Sequence, residues 1–95
     1  MIDAIWQASV AAWLAAHKTY PDDARRRGEE GRVAIRFTVD HAGHVLDATL
    51  ASSSGSDRLD AATLALLRGA RLPGLPASMP QDRVTITTGV RFNLR

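Results

Sequence analysis

Cysteine is absent from the 95 residues. That excludes a disulfide framework and any Cys-ligated zinc site, and it is compatible with an oxidising compartment. Long apolar runs are absent too. No stretch reaches the ~18 to 20 residues that cross a bilayer, and no signal peptide opens the chain. If the domain works outside the cytoplasm, the expectation is that its export or anchoring signal lies upstream. Met1 followed directly by a helical pattern then reads as the start of a cut-out domain. One-signed charge is scarce: 12 Lys and Arg against 10 Asp and Glu leave +2, without a basic block. Aromatic residues are few, with two Trp, one Tyr and two Phe. Binding nucleic acid on a sheet face needs aromatic side chains on the wet side. Phe37 and Phe92 fall on apolar faces instead, so no nucleic-acid partner is expected.

Catalytic and metal-binding constellations are equally missing. His41 and His44 flank a turn with Asp40 and Asp47 nearby, but no third His or any Cys completes a metal site. His17 reads as a helix-terminal residue. Asp57 and Asp60 sit at a helix start, where capping accounts for them. Ser52 to Ser54 have no nearby base, and Gly28 and Gly31 lack the spacing and the Gly-Lys-Ser of a phosphate loop. The expectation is a protein that is not an enzyme and uses no cofactor or metal.

The strongest signal present is the last thirteen residues. Val84, Ile86, Thr88, Val90, Phe92 and Leu94 alternate with Arg83, Thr85, Thr87, Gly89, Arg91, Asn93 and Arg95. A period of two marks a half-buried strand. Earlier, residues 2 to 18 read as an amphipathic helix with Ile2, Ile5, Trp6, Val10, Trp13, Leu14 and His17 at helical spacing. Tyr20-Pro21 ends it. A short second helix starts at Pro21 and stops at Gly28. Gly31 opens a strand with Val33, Ile35, Phe37 and Val39 on one side. Asp40 to Gly43 is the turn. A second strand, about His44 to Ala51, places Leu46, Ala48 and Leu50 on its buried side. A third helix begins near Asp57, read as its N-cap, with Leu59, Ala62, Thr63, Leu66 and Leu67 as its stripe. Leu72 to Asp82, with three prolines, is an irregular connection.

The order is α-α-β-β-α-β. Strands one and two form a hairpin, and a right-handed crossover brings strand three parallel to strand two. An α+β fold follows, with a three-stranded antiparallel sheet in the order 2-1-3 and helices packed on one face. The last strand is then an edge, and an edge is a template for another strand. Trp6 and Trp13 share a helix face. Packing on the sheet is the first reading, and a homodimer through that face or through paired edges is the competing one.

The ordered set Trp6, Trp13-Leu14, His17-Lys18, Tyr20-Pro21, Ala24-Arg25 and Glu30-Gly31 is specific. So is its continuation through Gly43, Ser53-Ser54-Gly55, Leu59-Asp60, Pro73 and Pro76 into the final strand. With these elements the chain resembles the C-terminal domain of TonB, the periplasmic energy transducer, over residues 1–95. Residues 1–19 form its N-terminal helix and 20–95 its core. An aromatic residue often found ahead of the proline loop is missing from Arg68 to Leu72. The resemblance implies a periplasmic domain of an inner-membrane-anchored protein whose membrane helix and Pro-rich spacer are not in this sequence. It implies partners as well: proton-driven motor proteins of the inner membrane, and the TonB box of an outer-membrane transporter for iron–siderophore, haem or cobalamin. The box would add beside the last strand, along Arg83, Thr85, Thr87, Gly89, Val90, Arg91 and Asn93, with Tyr20 and Pro21 near its entry. The alternative is a TolA-like module, an envelope interaction domain not tied to import.

Overall fold

Asp3 starts the first helix. Its carboxylate accepts from the amides of Ile5 (2.8 Å) and Trp6 (2.9 Å), two of the N–H groups a helix start leaves unpaired. The computed structural model describes residues 2–94, so Met1 and the expected strand position of Arg95 lie outside the described residues. Helix α1 (Ala4–His17) buries Trp6, Val10 and Leu14, a row spaced by four. The stripe read from sequence is too broad. Ile5 is 80% exposed, because one residue of helix turns its side chain about 100° from the buried row, and Ile2, 37% exposed, precedes the N-cap Asp3 and lies outside the helix. Pro21 then caps α2 (Asp22–Arg26).

The sheet comprises β1 (Gly31–Asp40), β2 (Val45–Ser52) and β3 (Arg83–Phe92), with α3 (Asp57–Leu67) between β2 and β3. Its order is β2-β1-β3, antiparallel on both sides of β1. This is the α+β architecture and the order 2-1-3 that the sequence predicts. Alternation explains β1. Val33, Ile35, Phe37 and Val39 are all buried, and they meet Ile86, Val90 and Phe92 of β3 in one core. Helix α3 lies against β1 and β2, and α1 against β3.

Three expectations need correction. Leu46 is 49% exposed. Val39 pairs with Val45 and Thr38 with Asp47, so Leu46 is an extra residue in β2. Such a bulge shifts the alternation, and Val45 takes the inner place beside Ala48. Second, the N-cap of α3 is Ser56, not Asp57. The Ser56 hydroxyl accepts from the Leu59 amide, and Asp57 is already helical. Third, β3 ends at Phe92, so Asn93 lies beyond the strand, and the Leu94 amide donates to Glu30 (3.3 Å).

The connection from Leu72 to Asp82 is irregular, as its prolines dictate, yet Leu72, Leu75 and Met79 are core residues. It is pinned where it begins. The Trp6 indole donates to the Pro73 carbonyl (2.9 Å), and the Leu72 amide to that of Gly43 (2.8 Å).

Ser53 and Ser54 have a structural task. The nearly buried Asp60 carboxylate accepts from the hydroxyls of both and from the Ser54 amide. Burial alone would raise the Asp60 pKa, but these hydrogen bonds outweigh it and hold the acid below its ordinary value. A depressed folded pKa adds stability above the unfolded value, and that stability is lost as pH falls through the folded one. Asp60→Asn should therefore cost about 1–3 kcal/mol at neutral pH, in the range for hydrogen bonds to a charged group. Its disadvantage in urea unfolding should shrink steadily below pH 4, near the ordinary aspartate value of 3.8. A gap that stays constant to pH 2 would contradict this account.

Candidate functional site: the β3 edge

Within an antiparallel ladder, one residue's N–H and C=O point to the same side, and the side alternates along the strand. The Asp40 amide donates to the His44 carbonyl (3.0 Å), toward the hairpin partner. Even-numbered residues of β1 therefore face β2, and Val33, Ile35, Phe37 and Val39 face β3. Their partners Val90, Thr88, Ile86 and Val84 face back. The backbone groups of Arg83, Thr85, Thr87, Gly89 and Arg91 consequently point away from the sheet. One contact supports this independently: the Lys18 ammonium donates to the Arg91 carbonyl from outside the sheet.

The outward row also carries the wet face. Thr85 and Thr87 are exposed, and the Thr85 and Thr38 hydroxyls share a hydrogen bond (2.6 Å). Arg83 pairs across the strands with Asp40, and Arg91 with Arg32. Val90 differs from its neighbours in the expected set. Its side chain is buried and its backbone faces β1.

Tyr20 comes to the C-terminal end of this row, whereas Pro21, next in sequence, lines a surface cleft with Arg58, Ala61 and Ala62 of α3. The Tyr20 ring meets the Phe92 ring edge to face, at 5.4 Å and 89°. Its hydroxyl donates to the Glu29 carbonyl, and the Arg25 guanidinium lies 5.2 Å over its face. The phenol is pushed above its ordinary pKa, first by burial and then by Glu30, so it stays a neutral donor. Lys18 sits 5.5 Å over the other ring of this pair, Phe92. Arg83, at the far end of the row, is roughly 26 Å from Arg91 along an extended strand. The structure thus brings Tyr20 to one end of the edge, turns Pro21 toward α3, and leaves Arg83 and Thr85 at the other end.

Lys18 is a site neighbour that position alone did not reveal, because its reach to Arg91 spans 73 residues of sequence. The helix α1 that carries it follows the direction of β3. The Ser78 hydroxyl donates to Asp3 (2.8 Å) at the helix start, and Lys18 touches Arg91 at its end. At the hairpin, the Asp40 carboxylate accepts from the amides of Ala42 and His44 and from the His44 ring. These bonds, the His44 amide first, hold Asp40 below its ordinary pKa. They assign Asp40 and His44 to closing the turn. No helix among the described residues is long and apolar enough to cross a membrane.

A family model described as the Gram-negative bacterial TonB protein C-terminal matches residues 16–94. Protein TonB of Pseudomonas putida is 48% identical over 65 residues, covering 68% of this chain and 27% of that protein. The chain spans 27% to 33% of the curated relatives it matches. Among solved structures, the Helicobacter pylori TonB C-terminal domain superposes with a TM-score of 0.80 at 25% identity, covering 99% of this chain and 85% of that one. The C-terminal domain of HasB superposes with a TM-score of 0.61 at 38% identity, covering 98% and 72%.

Proposed function

The chain belongs to the family of Gram-negative bacterial TonB C-terminal domains, and from that premise we propose that it is the receptor-binding domain of a TonB-like energy transducer. Its task is to dock the TonB box of an outer-membrane transporter by adding it as a strand beside β3. The longer protein, anchored in the inner membrane and coupled there to proton-driven motor proteins, then drives uptake of iron–siderophore, haem or cobalamin from the periplasmic side. The observation that carries this reading is the outward row of Thr85, Thr87, Gly89 and Arg91 on an edge strand.

The physics of such a contact suits intermittent pulling. Main-chain hydrogen bonds supply register while tolerating varied side chains. Each contributes about 0.5–1.5 kcal/mol net, so a handful makes a reversible complex. A load along the strand is shared by several ladder bonds at once. Titration of the isotope-labelled domain with synthetic N-terminal peptides of outer-membrane transporters tests the reading. Shifts should concentrate on Arg83 to Phe92 and around Tyr20. A folded domain that shows none with any such peptide would overturn it.

A further inference from the structure

Gly89 has an ordinary strand conformation, so the turn chemistry of glycine does not explain it. Its surroundings do. A Cβ placed there would lie 2.2 to 2.4 Å from Nη2, Cζ and Nε of Arg32. The Arg32 guanidinium therefore rests directly on the Gly89 backbone. Arg32 stands opposite Arg91, and Ala34 opposite Gly89. Like charges directly across a ladder repel. Arg32 accordingly leans two residues along β3, into the space that a missing side chain leaves.

Charge on the wet face is therefore uneven. At the start of β3, Arg83 stands opposite Asp40, whose negative charge offsets it across the ladder without a direct ion pair, and Thr85 bonds Thr38. At its end, Arg32 and Arg91 stand together on the face, and the Lys18 ammonium caps the edge at the Arg91 carbonyl. No ion pair joins any of these three cations to a described carboxylate. Glu30, the acid beside this end, accepts from the Leu94 amide.

We infer that Arg32, lying over Gly89, selects a carboxylate side chain on the strand that docks beside β3. The inference rests on the docking reading above and adds the chemistry of the partner segment. A docked strand lies about 4.8 Å from β3. Its residue opposite Gly89 presents its side chain on the same face as the guanidinium, because directly paired residues share a face. A Glu or Asp there meets a planar donor fork without crossing a β3 side chain. The partner segment is thus polar and acidic toward the Arg91 end, and neutral toward Arg83.

The test uses N-acetylated, C-amidated Thr/Val strand peptides carrying one Glu walked through successive positions, each with its Gln twin. Amide exchange at Thr85 and Thr87 reports docking, and the ratio of Glu to Gln affinity reports selection. One Glu position should bind about fivefold tighter than its twin, the upper range for an exposed ion pair. That ratio should fall to one in Arg32→Gln and stay in Arg68→Gln, which removes the same charge from the end of α3. Gly89→Ala should abolish it as well. The atoms nearest its new Cβ all belong to the flexible end of Arg32, so the domain stays folded while the guanidinium is displaced. Protection of Thr85 and Thr87 with no Glu preference, or a preference that survives both Arg32→Gln and Gly89→Ala, overturns the inference and leaves docking standing. No protection with any of these peptides or with transporter peptides overturns both.

Discussion

Thr87→Pro should abolish strand docking and leave the domain folded, whereas Val90→Pro should unfold it. The two positions are three residues apart on one strand, and the difference lies in which way their amides point. Thr87 N–H faces away from the sheet, and Val90 N–H faces Val33 of β1. Proline at an edge position with an outward amide is tolerated, because no ladder bond is lost within the domain. It does remove a donor from the middle of the docking row, and its ring stands where the added strand must approach. Affinity for a docking peptide should fall more than about tenfold, the equivalent of one charge-free ladder bond and the register it holds. At Val90 the same change breaks a bond to the central strand and disrupts a residue that is 3% exposed. The cost there should reach about 3 kcal/mol or more, a large part of the stability of a domain this size. Peptide affinity by titration and melting by circular dichroism check the pair. Wild-type affinity in a folded Thr87→Pro variant would remove β3 as the docking edge.

Gly43→Ala should be the most damaging single-methyl change in the chain. Gly43 has φ +96°, a conformation that alone costs an L-residue about 1–2 kcal/mol. Its missing Cβ would also lie 2.0 Å from the carbonyl oxygen and 2.9 Å from the carbonyl carbon of Leu72. Those are backbone atoms, tied by the Leu72 amide bond to the Gly43 carbonyl, so neither can rotate aside. Moving them shifts Leu72, which is 3% exposed in the core. Overpacking adds about 1–3 kcal/mol, for a total of about 2–5. Gly55→Ala is the control. Its φ is +91°, but nothing lies within 4 Å of the added methyl, so only the conformational cost remains. Urea unfolding of the two variants separates the terms. Equal losses would mean that the contact with Leu72 carries no weight.

Period-two alternation identified β1 and β3, because one face of β1 is wholly apolar and that of β3 is apolar but for Thr88. The same rule misplaced Leu46. A bulge adds one residue to β2 and inverts the alternation locally, and nothing in Val45-Leu46-Asp47 signals it. Asp57 and Ser56 are both good caps, and only the hydrogen bond to Leu59 distinguishes them. The burial of Leu72, Leu75 and Met79 was hidden by the prolines around them, since an irregular segment has no period to read.

For the candidate site, the edge strand, its place in the order 2-1-3 and the residues of its wet face were already legible in the order and type of the amino acids. Hairpin and crossover rules act on element order, and burial acts on side-chain type, so both are written in the chain. Which amides of β3 point outward emerges only on folding, since that depends on the pairing phase set at the Asp40–His44 turn. The same holds for the meeting of Lys18 and Tyr20 with the end of β3 and for the seating of Arg32 on Gly89. These contacts join residues 57 to 73 positions apart, and their geometry is fixed by the shared core beneath them, not by any local preference.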